Sequence, residues 1–353
     1  MLDLSFYKGK KVLVTGHTGF KGVWLSTMLI HAGAEVVGYS LKAPTDPSLF
    51  EICNLGRYMN SIIGDVRDYY RLREVFQEIC PEIVFHLAAQ PIVKEGYHNP
   101  RYTYDVNVMG TVNLLECVRK TESVKSVINV TTDKVYQNNE WEWGYRENEI
   151  LKGYDPYSNS KSCSELITYS YKKSFFDESK RNVAISTVRA GNVIGGGDFA
   201  INRIIPDCIR YAMKREDIVV RNPDSVRPYQ HVLEPLYAYL MIAGMQYGNT
   251  EYSGEYNVGP DETDCCSTRR LVELFIEHWD KGIQWISQEM QDLHEAKYLK
   301  LDCSRLKTIF GWKPKWNIEK AIEKTVEWTK CWISESNINA CMDLQINEYI
   351  SKR

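Results

Sequence analysis

A chain of 353 residues is long enough for one large α/β unit with a smaller attached lobe, or for two domains. Charged residues at 25% and hydrophobic ones at 44% fit a globular protein with a sizeable core, and a net charge of −3 removes any general pull toward nucleic acid or an anionic membrane. No stretch approaches the ~18 apolar residues of a membrane span, the N-terminal segment lacks the apolar run of a secretion leader, and the ten scattered cysteines form neither a Cys-x-x-Cys motif nor a zinc spacing with His, so free thiols, a cytoplasmic protein and no metal are expected.

The first predicted element is the apolar strand Lys11–Thr15, followed by a turn at Gly16 and an amphipathic helix from Phe20 to His31. Glu35–Ser40 reads as a second strand and Ile62–Asp65 as a third. A polar helix at about 69–79 leads to the strand Ile83–Leu87, a long helix over about 101–119 to the strand Val127–Val130, and a helix starting near Tyr157 to a sixth strand at Val183–Val188. Strands that are nearly all apolar and alternate with helices describe a doubly wound parallel sheet of Rossmann type, covered on both faces. Past Arg189 the alternation gives way to a Gly-rich loop and short elements. The expected division is therefore a dinucleotide-binding domain over 1–190, rejoined by about 233–258, and a smaller C-terminal substrate-binding lobe over 191–232 and 259–353. Ile318–Ile333, apolar at helical spacing, is expected to be core.

Two motifs carry chemistry. Gly16-His17-Thr18-Gly19-Phe20-Lys21-Gly22 lies between the first strand and first helix, where glycines permit a tight turn and close approach of a pyrophosphate to a helix N-terminus. The spacing is Gly-x-x-Gly-x-x-Gly, and the second strand ends Gly38-Tyr39-Ser40-Leu41-Lys42 without the carboxylate that usually holds the adenosine ribose of NAD; Lys42 leaves NADP open. The second motif is Tyr157-Ser158-Asn159-Ser160-Lys161. Residues four apart share a helix face, so a phenol and an ammonium can act together, the cation favouring the phenolate that accepts a hydroxyl proton.

The order GHTGFKG, Asp65, HLAAQ (86–90), Thr132 and YSNSK resembles the extended short-chain dehydrogenase/reductase family acting on nucleotide sugars, from about residue 9 to Gly311-Trp312-Lys313-Pro314. Within it, Thr132-Asp133-Lys134 stands where dTDP-glucose dehydratases carry Thr-Asp-Glu. That triplet, EWEWGYREN (140–148), RAGNVIGGGD (189–198) and Arg221-Asn222-Pro223 followed by RPYQHV (227–232) are similar to CDP-glucose 4,6-dehydratases.

The resemblance implies NAD as cofactor, held by Gly16, His17, Gly19, Phe20, Gly22, Asp65, Val66, Leu87, Ala88, Ala89, Asn107, Tyr157 and Lys161. It implies CDP-glucose as substrate, contacted by Gln90, Asn192, Arg203, Arg221, Arg227, His231 and Asn257, with Arg221 near the base. In the implied reaction Tyr157 takes the 4-hydroxyl proton, Thr132 bonds the C4 oxygen, and Asp133 protonates the departing 6-hydroxyl. Lys134 stands in the position of the C5 base with its role open, and Lys161 supports Tyr157. Another dehydratase or a 4-epimerase of the same family is the alternative. Trp141, Trp143 and Tyr145 either cover the sugar or pack against the body. The resemblance also implies pairing of subunits through a four-helix bundle of 100–119 and 157–173, as a dimer or tetramer, and supply of a deoxysugar for surface polysaccharide.

Overall fold

A computed structural model of the protein describes residues 3–177, 183–279, 282–287 and 298–351. The first two residues of the N-terminal segment and parts of the expected lobe, including 288–297, lie outside the described residues.

In chain order the first half contains β1 (Lys11–Thr15), α1 (Phe20–His31), β2 (Glu35–Ser40), α2 (Leu49–Ile52), β3 (Asn60–Ile63), α3 (Tyr69–Ile79), β4 (Ile83–His86), α4 (Val93–His98), α5 (Pro100–Tyr104), α6 (Gly110–Arg119), β5 (Ser126–Val130), α7 (Pro156–Tyr171) and β6 (Ala184–Ala190). The second half contains β7 (Val193–Ile194), α8 (Ile204–Lys214), β8 (Ile218–Val220), β9 (Val226–Arg227), β10 (Gln230–His231), α9 (Leu233–Gly248), β11 (Glu255–Val258), β12 (Cys266–Ser267), α10 (Thr268–Trp279), β13 (Trp285–Ser287), α11 (Ser304–Phe310), α12 (Ile318–Ile333) and α13 (Ile338–Ser351).

Seven strands form one parallel sheet in the order β11-β6-β5-β4-β1-β2-β3. The order reverses between β1 and β4, and the carboxyl ends of strands at such a reversal open the crevice in which doubly wound sheets bind ligands. Both faces are covered. Val12, Val14, Phe85 and Ile128 pack into one apolar cluster with α1 and α9, whereas Leu13, Val84, Val127 and Ile185 alternate into a second with α3 and α6. Helix α9 is buried along most of its length, and β11 pairs with β6 in register Glu255↔Thr187 to Val258↔Ala190. A third cluster joins α8, β8, α10 and α12 beside the Rossmann body. Helix α12 sits in the core, as its periodicity predicts.

Two boundaries differ from the sequence reading, each for a local reason. The third strand is Asn60–Ile63 and stops before Asp65. A Cβ at Gly64 would lie 2.3 Å from the Tyr39 ring, and the Asp65 carboxylate folds back onto the Arg67 N–H at 2.9 Å, so the chain turns there. The long helix over 101–119 is broken by a π-turn at Asp105–Met109. The extra residue in that turn lets the Asn107 side chain face inward, where it accepts from Gln90 N–H (2.8 Å) and donates to the Gln90 carbonyl (3.0 Å) and Ser160 Oγ (2.9 Å).

Candidate active site

The site lies along the carboxyl ends of β1, β4 and β5. At β1, Gly16 adopts φ +77°, and a Cβ there would sit 2.7 Å from Ala88 N. A Cβ on Gly22 would come within 2.1 Å of the Gly16 carbonyl. The turn thus closes tightly against Leu87 and Ala88, and only glycine satisfies both positions. Gly19 caps α1 without a side chain, so no cap bonds the first-turn N–H groups of that 12-residue helix, which remain available to an anion. Phe20 packs toward Gly195, and Leu87, Ala88 and Ala89 are partly exposed along the groove.

Toward the adenosine side, His17 is fully buried, its Nε2 hydrogen-bonded to Ser61 Oγ (2.7 Å) and its ring packed under Gly38. Burial pushes this imidazole down to about 4, so it is neutral. A cleft of about 680 Å³ opens at the ends of β2 and β3, lined by Thr18, Lys42, Thr45, Asp46, Ser48, Glu51 and Ile63 among others. Thr18 Oγ1 donates to the Leu41 carbonyl at 2.9 Å. The end of β2 carries no carboxylate, but Asp46 and Glu51 bring two to the cleft from the following segment. Asp65 is engaged by Arg67 through its guanidinium (2.6 Å) and backbone; burial alone would raise this carboxyl, but those bonds win and hold it below its usual value. Val66 is buried against Gly110. The glycine turn, uncapped helix start and neighbouring cleft fit a dinucleotide.

At the end of β5, Thr132 caps a short turn and its hydroxyl bonds Asp133 Oδ1 at 3.0 Å. Asp133 is 2% exposed, and its Oδ2 has no hydrogen-bond partner. A Cβ at Gly191 would lie 3.3 Å from that oxygen, so the glycine keeps one approach to the carboxyl uncrowded. Burial raises the Asp133 carboxyl above its usual value, against the opposing pull of Lys134, Thr132, Arg227 and Lys21. Lys134 is partly buried beside it.

Helix α7 begins at Pro156 with Asp155 capping Ser158 N–H (3.0 Å), which fixes the first turn next to β5. Tyr157 and Lys161 share its inner face, 9% and 5% exposed. Burial pushes the phenol up to about 12, opposed by the Thr132 hydroxyl beside it. Lys161 Nζ donates to the Val130 carbonyl (3.0 Å); burial, then Lys21, push it down to about 8, while Glu165 raises it. Lys21, quoted in the sequence only as part of the glycine string, is a group that reasoning missed. Burial and then Arg203 lower it to about 8, with Asp133 and Asp198 pulling the other way, which places its charge among these residues.

The expected substrate residues separate into two sets. Arg203 pairs with Asp198 at 3.0 Å, Arg227 is 3% exposed with Nη1 on the Val226 carbonyl, Arg221 bonds Asn202, and Asn192 is partly exposed next to Gly191. The other three are committed to the protein itself. Asn257 accepts from Tyr136 Oη (2.6 Å) and donates to the carbonyls of Tyr145 and Asp302. Gln90 bonds Thr103 and Ile92, and His231 is buried between Trp24 and Trp316. Trp141 stacks on Tyr145 and Tyr145 on Tyr136, so this aromatic run packs inward on the body, with Trp143 at its exposed end. Among the described residues no group of His, Cys, Asp and Glu could hold a metal ion.

The family model of GDP-mannose 4,6 dehydratase matches residues 13–325. A CDP-glucose 4,6-dehydratase of Salmonella typhimurium is 47% identical over 99% of both chains, and a CDP-paratose 2-epimerase of Salmonella typhi is 23% identical over 90% of this chain and 99% of its own. Among solved structures, a dTDP-glucose 4,6-dehydratase from Bacillus anthracis in complex with NAD superposes with TM-score 0.77 at 21% identity, covering 94% of this chain and all of that one. A UDP-glucose 4-epimerase from Thermotoga maritima with UDP-glucose gives 0.78 at 22% identity, covering 91% and 99%. These last two are likenesses of fold.

Proposed function

The chain belongs to the GDP-mannose 4,6 dehydratase family, and from that premise we propose that it is a lyase converting CDP-glucose to CDP-4-keto-6-deoxyglucose and water, with NAD as a cofactor that the reaction does not consume. The observation that carries this reading is Asp133: a buried carboxyl, its proton favoured by burial, with one oxygen unpartnered beside Thr132 and Tyr157. A dehydratase needs an acid for a departing hydroxyl; interconversion of an alcohol and its epimer does not.

The residues divide the work as follows. NAD, when bound, would supply the acceptor of the C4 hydride and the source of the hydride returned to C6. Gly16, Gly19 and Gly22 would receive its pyrophosphate at the start of α1, and the cleft between Thr18 and Ile63 would receive its adenosine. Lys161 spends one N–H on Val130 and has two over for the nicotinamide ribose. Tyr157 takes the proton of the 4-hydroxyl and Thr132 bonds the C4 oxygen. The 4-ketone so formed acidifies the proton at C5, which leaves to a base at the Lys134 position as Asp133 protonates the 6-hydroxyl and releases water; that base gives the proton back to C5 when hydride returns to C6. Arg203 and Arg227 meet the two phosphates, for which a guanidinium's paired donors are suited, and Arg221 lies toward the base.

The same reading gives the chain a dinucleotide-binding domain over 1–190 completed by about 233–258, supported by the pairing of β11 with β6, and a sugar-nucleotide lobe over the remainder. It pairs subunits through 100–119 and 157–173, supported by exposed Met109, Leu166 and Tyr169 on those helices. It places the protein in the cytoplasm, supported by ten cysteines that are all free; among the described residues no helix is long and apolar enough to cross a membrane.

The test is to incubate the protein with NAD and, separately, CDP-, UDP-, dTDP- and GDP-glucose, and to weigh the products. CDP-glucose should lose one water. A product of unchanged mass and inverted configuration would make the protein an epimerase and end this reading.

A further inference from the structure

We propose that Glu165 is a positioning residue for this reaction, locking the strand end that carries Thr132 and Asp133 to the helix that carries Tyr157 and Lys161. Residues 157, 161 and 165 are successive fours on α7 and share one face. Glu165 is 2% exposed, and both carboxylate oxygens are saturated. Oε1 accepts from Thr131 Oγ1 (2.5 Å) and Arg189 Nε (3.0 Å); Oε2 accepts from Thr187 Oγ1 (2.6 Å) and Arg189 Nη2 (2.9 Å). Arg189, equally buried, sends Nη1 to Tyr136 Oη and to the Glu147 carbonyl, both at 2.9 Å. Tyr136 Oη in turn donates to Asn257 on β11.

Four segments therefore meet on one carboxylate–guanidinium pair, the end of β5, α7, β6 and the Tyr136–Glu147 loop, and Tyr136 ties β11 to them. A buried ion pair is often no more stable than apolar residues of the same volume, so stability alone gives a weak reason for it. What this pair does hold is relative position. Thr131 is the residue before Thr132, and its hydroxyl joins the reacting strand end to the reacting helix at a single oxygen. Misplacement of a reacting group by about 1 Å can cost ~10²-fold in rate. Glu165 also sits one turn beyond Lys161 and favours its protonated form.

The proposal rests on Thr132, Asp133, Tyr157 and Lys161 being the reacting groups, so the experiment compares each variant with the parent on whichever nucleotide sugar the parent converts; failure of the parent to dehydrate CDP-glucose would count against the function and not against the positioning. Thr131→Val, which removes one hydroxyl at constant shape, and the paired change Glu165→Gln with Arg189→Gln, which leaves no buried charge alone, are assayed in the presence of saturating NAD. Unfolding midpoints and circular dichroism of the cofactor-free proteins are recorded alongside. We expect kcat to fall about 10-fold for Thr131→Val and about 100-fold for the paired change, with KM within about threefold of the parent. Thr131→Ser, keeping the hydroxyl, should restore most of the loss. In the paired variant the alkaline limb of the pH–rate profile should move to lower pH, because the charge favouring protonated Lys161 is gone. If the paired variant does not fold, Thr131→Val against Thr131→Ser decides. Folded variants with a lowered midpoint but the parent's kcat and pH profile would overturn the proposal, leaving Glu165 a purely structural residue.

Discussion

Thr131 and Thr132 are neighbours in the chain and opposites in circumstance. The hydroxyl of Thr131 points into a region where polar groups are closely matched, Glu165 taking four hydrogen bonds and Arg189 giving four. Thr132 leads into Asp133, whose Oδ2 is buried without a partner, and lies beside Tyr157; burial pushes Tyr157 and, on the same helix face, Lys161 toward their neutral forms. An unpaired buried polar atom costs about 1–3 kcal/mol. That cost falls on one side of a strand end while the other side is satisfied, which is the contrast expected if the first side meets the substrate we propose and the second holds it in place.

The comparison can be broken most severely at Tyr157. Tyr157→Phe removes the proton acceptor and should lower turnover by ~10²–10⁴-fold, with no absorbance of reduced cofactor on mixing with CDP-glucose and NAD, and little change in the unfolding midpoint. A variant that still reduces the cofactor would remove the phenol from the reaction.

Gly22→Ala acts on the cofactor side of the same contrast. Its Cβ would lie 2.1 Å from the Gly16 carbonyl, so the turn must open, at a cost of ~1–3 kcal/mol. NAD should then lose the rise in unfolding midpoint that it gives the parent. An undiminished rise would mean the pyrophosphate lies elsewhere.

The pH profile sharpens the comparison. Burial lowers Lys161 to about 8, so its cation is present below that pH and lost above it. If the reaction needs that cation and bound NAD keeps Tyr157 as the phenolate below pH 8, kcat should fall as pH rises through about 8, approaching tenfold per unit. With the phenol shown to be ionised by its ultraviolet absorbance, a rate flat to pH 10 would show that the charge is not used.

The smallest effect is expected at Trp143, 58% exposed at the end of the aromatic run. Trp143→Ala should cost no more than the ~0.5–1.5 kcal/mol of one aromatic pair, read as a small drop in midpoint. A tenfold rise in KM for the sugar nucleotide would instead make this side chain a cover over the site.

Much of this was legible because it is local. Apolar runs of strand length, the glycine turn between β1 and α1, and two reactive side chains four apart on one helix are all written in neighbouring residues. What escaped depends on distant ones. The π-turn at Asp105–Met109 follows from Asn107 meeting Gln90 and Ser160, contacts no helical period contains. Glu165 and Arg189 are 24 residues apart and look like surface charges until β6 lies beside α7. Lys21 stands in the glycine string with no role of its own until the fold sets its charge among Arg203, Asp133 and Asp198, and the bonds that Asn257 and Gln90 make within the protein are likewise long-range. Asp46 and Glu51 reach the cleft from the segment after β2, so no spacing from the glycine turn points to them.

The most direct test of the central claim is Asp133→Asn mixed rapidly with CDP-glucose in the presence of saturating NAD, followed by near-ultraviolet absorbance and product mass. The substitution keeps shape and leaves Thr132, Tyr157 and Lys161 in place, but the amide cannot deliver a proton to a departing hydroxyl. Oxidation at C4 should proceed and elimination should slow by ~10²–10⁴-fold, so reduced cofactor and the 4-keto sugar with its 6-hydroxyl intact should accumulate. Dehydration at the parent rate, or no reduced cofactor at all, would contradict Asp133 as the acid that makes this site a dehydratase.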